Sequence, residues 1–332
     1  MRADIDSGAV HDEGACAATR PLGAVGSSPR RLVQVLLGVF WLADGALQLQ
    51  PFMFRRAFVT SMLLPAARGN PAPVASSITA MAHFLEPHIA VWNALFAAAQ
   101  LAIGLGLLVR QTVRPALLAS FAWSIAVWWF AEGLGGLLTG NSSPLTGAPG
   151  AVLLYVLVGL LAWPEREDHR DLRAGRGGLP SERGARVAWA LLWVGSASLL
   201  LQPENLAGLA LHDALLAASS GQPGWYAHLL SGTAGAIGSH GAVLTVGLAA
   251  GMLLVGIGVA LGWQATSLLG VATFLALVIW VFPEGLGGIL TGQGTDPNTG
   301  PLLVLAGLAW HRSYPAPQDL GVVVPADLAA AR

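Results

Sequence analysis

The sequence predicts an all-α, polytopic membrane protein: two parallel tandem four-helix units, about eight transmembrane helices, with short outer interfacial or re-entrant helices. Composition is the first ground. Of 332 residues 54% are hydrophobic and only 11% charged, where a soluble chain carries about 25% charged residues. The second ground is length, because several apolar runs approach the roughly 20 residues that cross a bilayer. The third is repetition. The frame Glu-Gly-Leu-Gly-Gly-Leu/Ile-Leu-Thr-Gly occupies 132–140 and again 284–292, an offset of 152 residues, with only Leu137 against Ile289 different. The same offset pairs Trp41 with Trp193, Gln50-Pro51 with Gln202-Pro203, His88 with His240, Gly104 with Gly256 and Gly106 with Gly258.

Taken in order, residues 1–29 are polar, hold the one cysteine, Cys16, and lack the apolar core of a secretory signal. They are expected to be a disordered cytoplasmic tail. The first unit, 30–163, offers spans at about 32–50, 88–109, 115–136 and 149–163. A charged cytoplasmic linker, 164–184, follows. The second unit, 185–312, offers spans at about 186–202, 241–262, 266–287 and 300–311, and 313–332 is a cytoplasmic tail. The fourth and eighth runs are short enough to require tilt or local thinning of the bilayer. In the outer segments 52–87 and 203–239, the stretches 57–64, 76–85 and 206–218 carry apolar residues at helical spacing. They are too short to span and read as interfacial or re-entrant helices.

Four spans per unit, an even number, insert both copies the same way up, so the units are related by an axis along the membrane normal. Every basic residue is Arg. Arg30, Arg31, Arg110, Arg114, Arg183, Arg186 and Arg312 fall on one side when both termini are cytoplasmic, as the positive-inside rule prefers; Arg55, Arg56 and Arg68 fall on the other. The predicted location is the cell membrane, multi-pass, with the lipid bilayer as partner. A net charge of −1 gives no sign of nucleic acid.

Polar groups inside such a chain direct attention to function. Glu132 and Glu284 close the third and seventh spans, each one helical turn after a Trp, Trp128 and Trp280. At 1.5 Å per residue, 18 residues beyond Arg114 put Glu132 about 27 Å along, near the outer edge of the hydrocarbon. His88 and His240 fall at matching depth on the antiparallel neighbours. Such His and Glu could act as a proton relay, a metal-ligand pair or a ligand anchor. The competing reading is structural: the glycines end the helix, and the Glu bonds a neighbouring loop. Asp44 shares one helix stripe with Gln34, Trp41 and Gln48, predicted to face the bundle. Its counterpart is Ser196, which breaks the symmetry. Trp128, Trp280 and Gln48 are the expected ligand-lining residues. His83, Glu86, His212, Asp213 and His228 read as loop polar groups. Turn-rich loops at 139–149 and 291–301 carry no catalytic signature, and no nucleotide, hydrolase, haem-attachment or zinc-spacing motif occurs. No metal site is predicted, and the cofactor stays open among quinone, haem and a metal.

The segment Gln100-Leu-Ala-Ile-Gly-Leu-Gly-Leu-Leu-Val-Arg-Gln-Thr-Val-Arg-Pro-Ala-Leu-Leu-Ala-Ser120 resembles the second-to-third helix hairpin of the DoxX-like membrane family. The run Leu37-Gly-Val-Phe-Trp-Leu-Ala-Asp-Gly-Ala-Leu-Gln-Leu49 is similar to that family's opening helix. Gln48 stands where the family often has Lys, and Gln100 where it often has Glu. Met252 matches Gln100 in the second unit, and the turn Gly262-Trp-Gln264 has no basic residue. The resemblance implies one four-helix domain per unit and a redox- or quinone-associated subunit with a membrane redox partner. Two rival classes are a small-solute transporter or permease, using the interface between units and the Asp44 face, and a structural or assembly subunit without a ligand.

Overall fold

The computed structural model describes residues 29–164, 182–263 and 265–313. The expected terminal tails and most of the expected linker lie outside them. Among the described residues the structure is helical, with no strand. The helices used below are α1 (Pro29–Leu47), α2 (Ala72–Leu85), α3 (Ile89–Leu108), α4 (Val113–Phe130), α5 (Ala151–Leu161), α6 (Glu182–Leu200), α7 (Ala210–Ser219), α8 (Gly224–Ile237), α9 (Gly241–Ala260), α10 (Ala265–Val281) and α11 (Thr299–Ser313).

Among the described residues three helical stretches are long and apolar enough to cross a membrane: Ala72–Leu108, Arg110–Phe130 and Gly224–Ala260. A fourth arises if Thr266–Val281 and Gly285–Thr291, bent by 41°, form one broken span. The first corrects a sequence expectation. Stretch 76–85 is the beginning of a 37-residue helical run, joined to α3 through the single turn Glu86–His88. Pro87 sits near the start of that turn, where its missing N–H costs little. His83 on α2, His212 and Asp213 on α7, and His228 on α8, the counterpart of α2 in the second half, are therefore helix residues rather than loop residues. Stretch 206–218 appears as α7, while 57–64 is broken into a π turn and a 3-10 turn around Pro65.

Packing follows the apolar faces. α1 lies along α3 and α6 along α9; α4 packs on α5 and α10 on α11. Contacts of α11 with both α5 and α1 join the two halves. The predicted stripe on α1 faces inward throughout: Gln34, Trp41, Asp44 and Gln48 are all at most 6% exposed. Trp41 meets Tyr155 of α5 at 4.6 Å between ring centroids, and Trp189, Trp193 and Trp310 cluster in the other half. The opposite faces carry large apolar groups outward, among them Val91, Leu105, Leu191, Val243 and Phe274. Contiguous apolar surface of this kind is costly in water and natural against hydrocarbon.

Candidate acidic cavity between the loops of the two halves

The two Glu-Gly-Leu-Gly-Gly frames adopt closely similar conformations. In each, the Glu N–H reaches back five residues, Glu132 to Val127 O and Glu284 to Ile279 O, both at 3.0 Å. Leu134 and Leu286 both take φ near +57°, with values of 58 and 56. Left-handed backbone at a branched residue costs on the order of 1 kcal/mol and persists only where surroundings impose it. Here the imposing contact is visible: a Cβ on Gly135 would stand 1.9 Å from Pro149 O, and one on Gly287 2.7 Å from Pro297 C. The glycines let the following loop lie directly on the turn. An amide from a distant loop closes each turn, Asn70 Nδ2 to Gly133 O (3.3 Å) and Gln222 Nε2 to Gly285 O (2.9 Å).

Trp128 and Trp280 pin the same loops. Their indole N–H groups donate to Pro149 O and Pro297 O, each at 2.8 Å. Neither Trp lines the cavity between the loops of the two halves, whose lining comes from loop residues. The two loops differ in length. From Glu132 to Ala151 is 19 residues and from Glu284 to Thr299 is 15, so the second loop is four residues shorter and the 152-residue register ends with the motif.

Each Glu is a remote cap for the next helix. The first N–H groups of a helix lack intrahelical partners and favour a negative charge. Glu132 Oε1 accepts from Val152 N at 3.5 Å, at the start of α5. Glu284 accepts from the Thr299 hydroxyl and from Gly300 N (3.2 Å), at the start of α11. The structural reading of the pair is thus realised in both halves, but unequally. Glu284 has both oxygens bonded, whereas Glu132 Oε2 is buried with no hydrogen-bond partner. One side chain makes the difference: Thr299 offers a hydroxyl where α5 begins with Ala151.

Glu132 borders a cavity of about 420 Å³ between loops of the two halves. Asn70, Ser142, Ser143 and Thr146 line it from the first half, Thr295, Asp296 and Asn298 from the second, and exposed Arg68 stands at its rim. Asp296 keeps part of its surface open to this space although protein packs closely around it. Burial raises its pKa, against hydrogen bonds from the Thr295 hydroxyl and Asn298 N–H. Burial, and then the nearby charge of Asp296, push Glu132 up to about 8, against the N–H groups of Val152 and Ala151. Two carboxyls that cannot both ionise cheaply therefore share one small polar space.

The charge of Asp296 also reaches Asp44 and Tyr155. Tyr155 donates its phenol proton to Asp44 Oδ2, leaving Oδ1 without a partner. Asp44, Tyr155, Asp296 and Glu132 are thus electrostatically linked from the α1–α5 contact to this cavity.

Other expected site residues go elsewhere. His88 and His240 are exposed and do not line the cavity. They immediately precede α3 and α9, and no group of His, Cys, Asp and Glu suited to a metal occurs among the described residues. Gln48 makes a reciprocal pair with Asn93, tying α1 to α3. His83 and Glu86 lie 3.7 Å apart and His212 and Asp213 2.8 Å apart, away from the cavity. Sequence reasoning passed over Tyr155 and Asp296. Their only signals were a Tyr inside an apolar run and an Asp-Pro in a turn-rich loop. Comparison with known protein families, curated proteins and solved structures returns no match to this chain.

Proposed function

We propose that the chain is a multi-pass protein of the cell membrane, eight spans in two parallel DoxX-like four-helix units with both termini cytoplasmic. Its outward-facing acidic cavity, between the units, holds a small cationic solute. The observation that carries this reading is Glu132 Oε2, buried without a partner beside Asp296 at the edge of a polar cavity. A buried carboxyl oxygen without a partner is costly, and a cation entering as the carboxyl gives up its proton supplies the missing interaction. Support for two like units comes from the repeated turn, in which Trp128 and Trp280, Asn70 and Gln222 play the same parts 152 residues apart. The cavity lies where the units meet, above the Asp44 face, which favours the solute-permease class. A quinone ring gains little from a lining of Asn, Ser, Thr and Asp, so the redox-associated reading is the less supported one. The purely structural reading describes Glu284, whose oxygens are both bonded.

The test is thermal unfolding of the purified protein with sodium, potassium, ammonium, methylammonium and guanidinium salts at matched ionic strength. At least one cation is expected to raise the unfolding temperature, and the Glu132→Gln/Asp296→Asn variant to lose that rise. No rise with any cation, or the same rise in the variant, refutes the reading. Proteoliposome flux of the stabilising cation, abolished by Asp44→Asn, then separates carriage from binding. Quinone absorbance in the purified protein would instead restore the redox reading.

A further inference from the structure

A second cavity lies at the far end of the bundle, where α6 meets α9. It measures about 850 Å³ and is bordered by Arg183, Arg186, Val187, Ala190, Val194 and Ala260, with Leu191. Three residues apart on one helix, the two arginines stand on the same face. Arg186 reaches towards the end of α9: its Nη1 would lie 3.6 Å from a Cβ on Gly262. Below the guanidinium groups the wall is apolar, and its Val187 and Leu191 are more than half exposed.

The first half closes the same place. At the matching position Arg31 directs its guanidinium to Leu107 O at 2.9 Å and to Leu108 O, covering the last carbonyls of α3. Gly38 and Leu108 then pack together, since a Cβ on Gly38 would stand 3.2 Å from Leu108 Cδ2. Adding 152 turns Gly38 into Ala190 and Leu108 into Ala260. The Leu-to-Ala difference leaves unfilled in the second half what a side chain fills in the first.

We infer that this groove binds an anionic phospholipid, its phosphate on Arg183 and Arg186 and one acyl chain along Val187, Ala190, Val194 and Ala260. The inference rests on the proposed membrane orientation, which puts this end of α6 at the cytoplasmic leaflet, where anionic lipid concentrates. Planar guanidinium forks match phosphate oxygens bidentately, and five donors per Arg leave capacity beyond contacts within the protein. The apolar wall selects a lipid over a free phosphate. Charge and shape together point to one occupant.

The experiment is native mass spectrometry of the full chain released from mixed micelles of phosphatidylglycerol and phosphatidylcholine. Wild type is expected to retain phosphatidylglycerol preferentially. Arg183→Gln/Arg186→Gln should lower that retention roughly tenfold. Ala260→Leu, which keeps both arginines and restores the residue of the first half, should lower it as well. Equal retention of the two lipids, or undiminished retention in Ala260→Leu, overturns the inference. The cation-dependent rise in unfolding temperature, measured on the same variants, reports the outer cavity separately and should be unchanged.

Discussion

Replacing Glu132 with Gln should flatten the pH dependence of stability. Gln keeps the size of the side chain and an oxygen that can accept from Val152 N, so the cap on α5 survives. What it removes is ionisation. Glu132 titrates at about 8 in the folded protein against an ordinary 4.5. A carboxyl raised on folding binds its proton more tightly when folded. Its stabilising effect is complete below about 4.5 and is lost as pH rises through 8, at up to about 1.4 kcal/mol per pH unit. Between pH 5 and 7 this amounts to roughly 2.5 kcal/mol for an isolated group, and solvent in the cavity and sharing of charge with Asp296 reduce it to about 1–2 kcal/mol. The assay is tryptophan-fluorescence unfolding in detergent at pH 5, 6 and 7. Wild type should lose stability across the series faster than Glu132→Gln by that amount. Parallel curves would refute the argument that Glu132 is held protonated by burial and by Asp296.

Ala151→Thr should give Glu132 the hydroxyl that Thr299 gives Glu284, raising stability by about 1 kcal/mol while weakening cation binding, as read by unfolding with and without the cation. Glu284→Ala removes the carboxylate from the start of α11 and should cost about 1–2 kcal/mol in the same unfolding assay, with the cation-dependent rise intact. Tyr155→Phe strips Asp44 of its hydrogen bond and should cost about 1–3 kcal/mol. Gly300→Ala should abolish folding, assayed by size-exclusion chromatography after expression, since its Cβ would stand 2.2 Å from Trp280 Cβ within rigid packing.

The helical, apolar character of the chain and the inward face of α1 were legible because both depend on local periodicity. A stripe at Gln34, Trp41, Asp44 and Gln48 has one inward solution on a helix. The twin motif was legible as a place but not as a mechanism. Helix rise put Glu132 at the right end of α4, yet it paired Glu132 with His88, an exposed residue on a neighbouring helix. The actual neighbours, Asp296 and Tyr155, are 164 and 23 residues away in sequence. No periodic signal connects a loop of the second half to a carboxyl of the first.

What the sequence determined by itself is that two like segments each end an apolar helix with a carboxylate and a glycine turn, because composition and repetition need no partner to be read. Only the tertiary structure decided that the two carboxylates have different surroundings. Thr299 completes the bonding of Glu284, while Ala151 leaves an oxygen of Glu132 without a donor. The loop carrying Asp296 then brings a second acid to that oxygen's cavity. Satisfaction of a buried polar atom depends on every group that reaches it in space, and chain order does not record those distances.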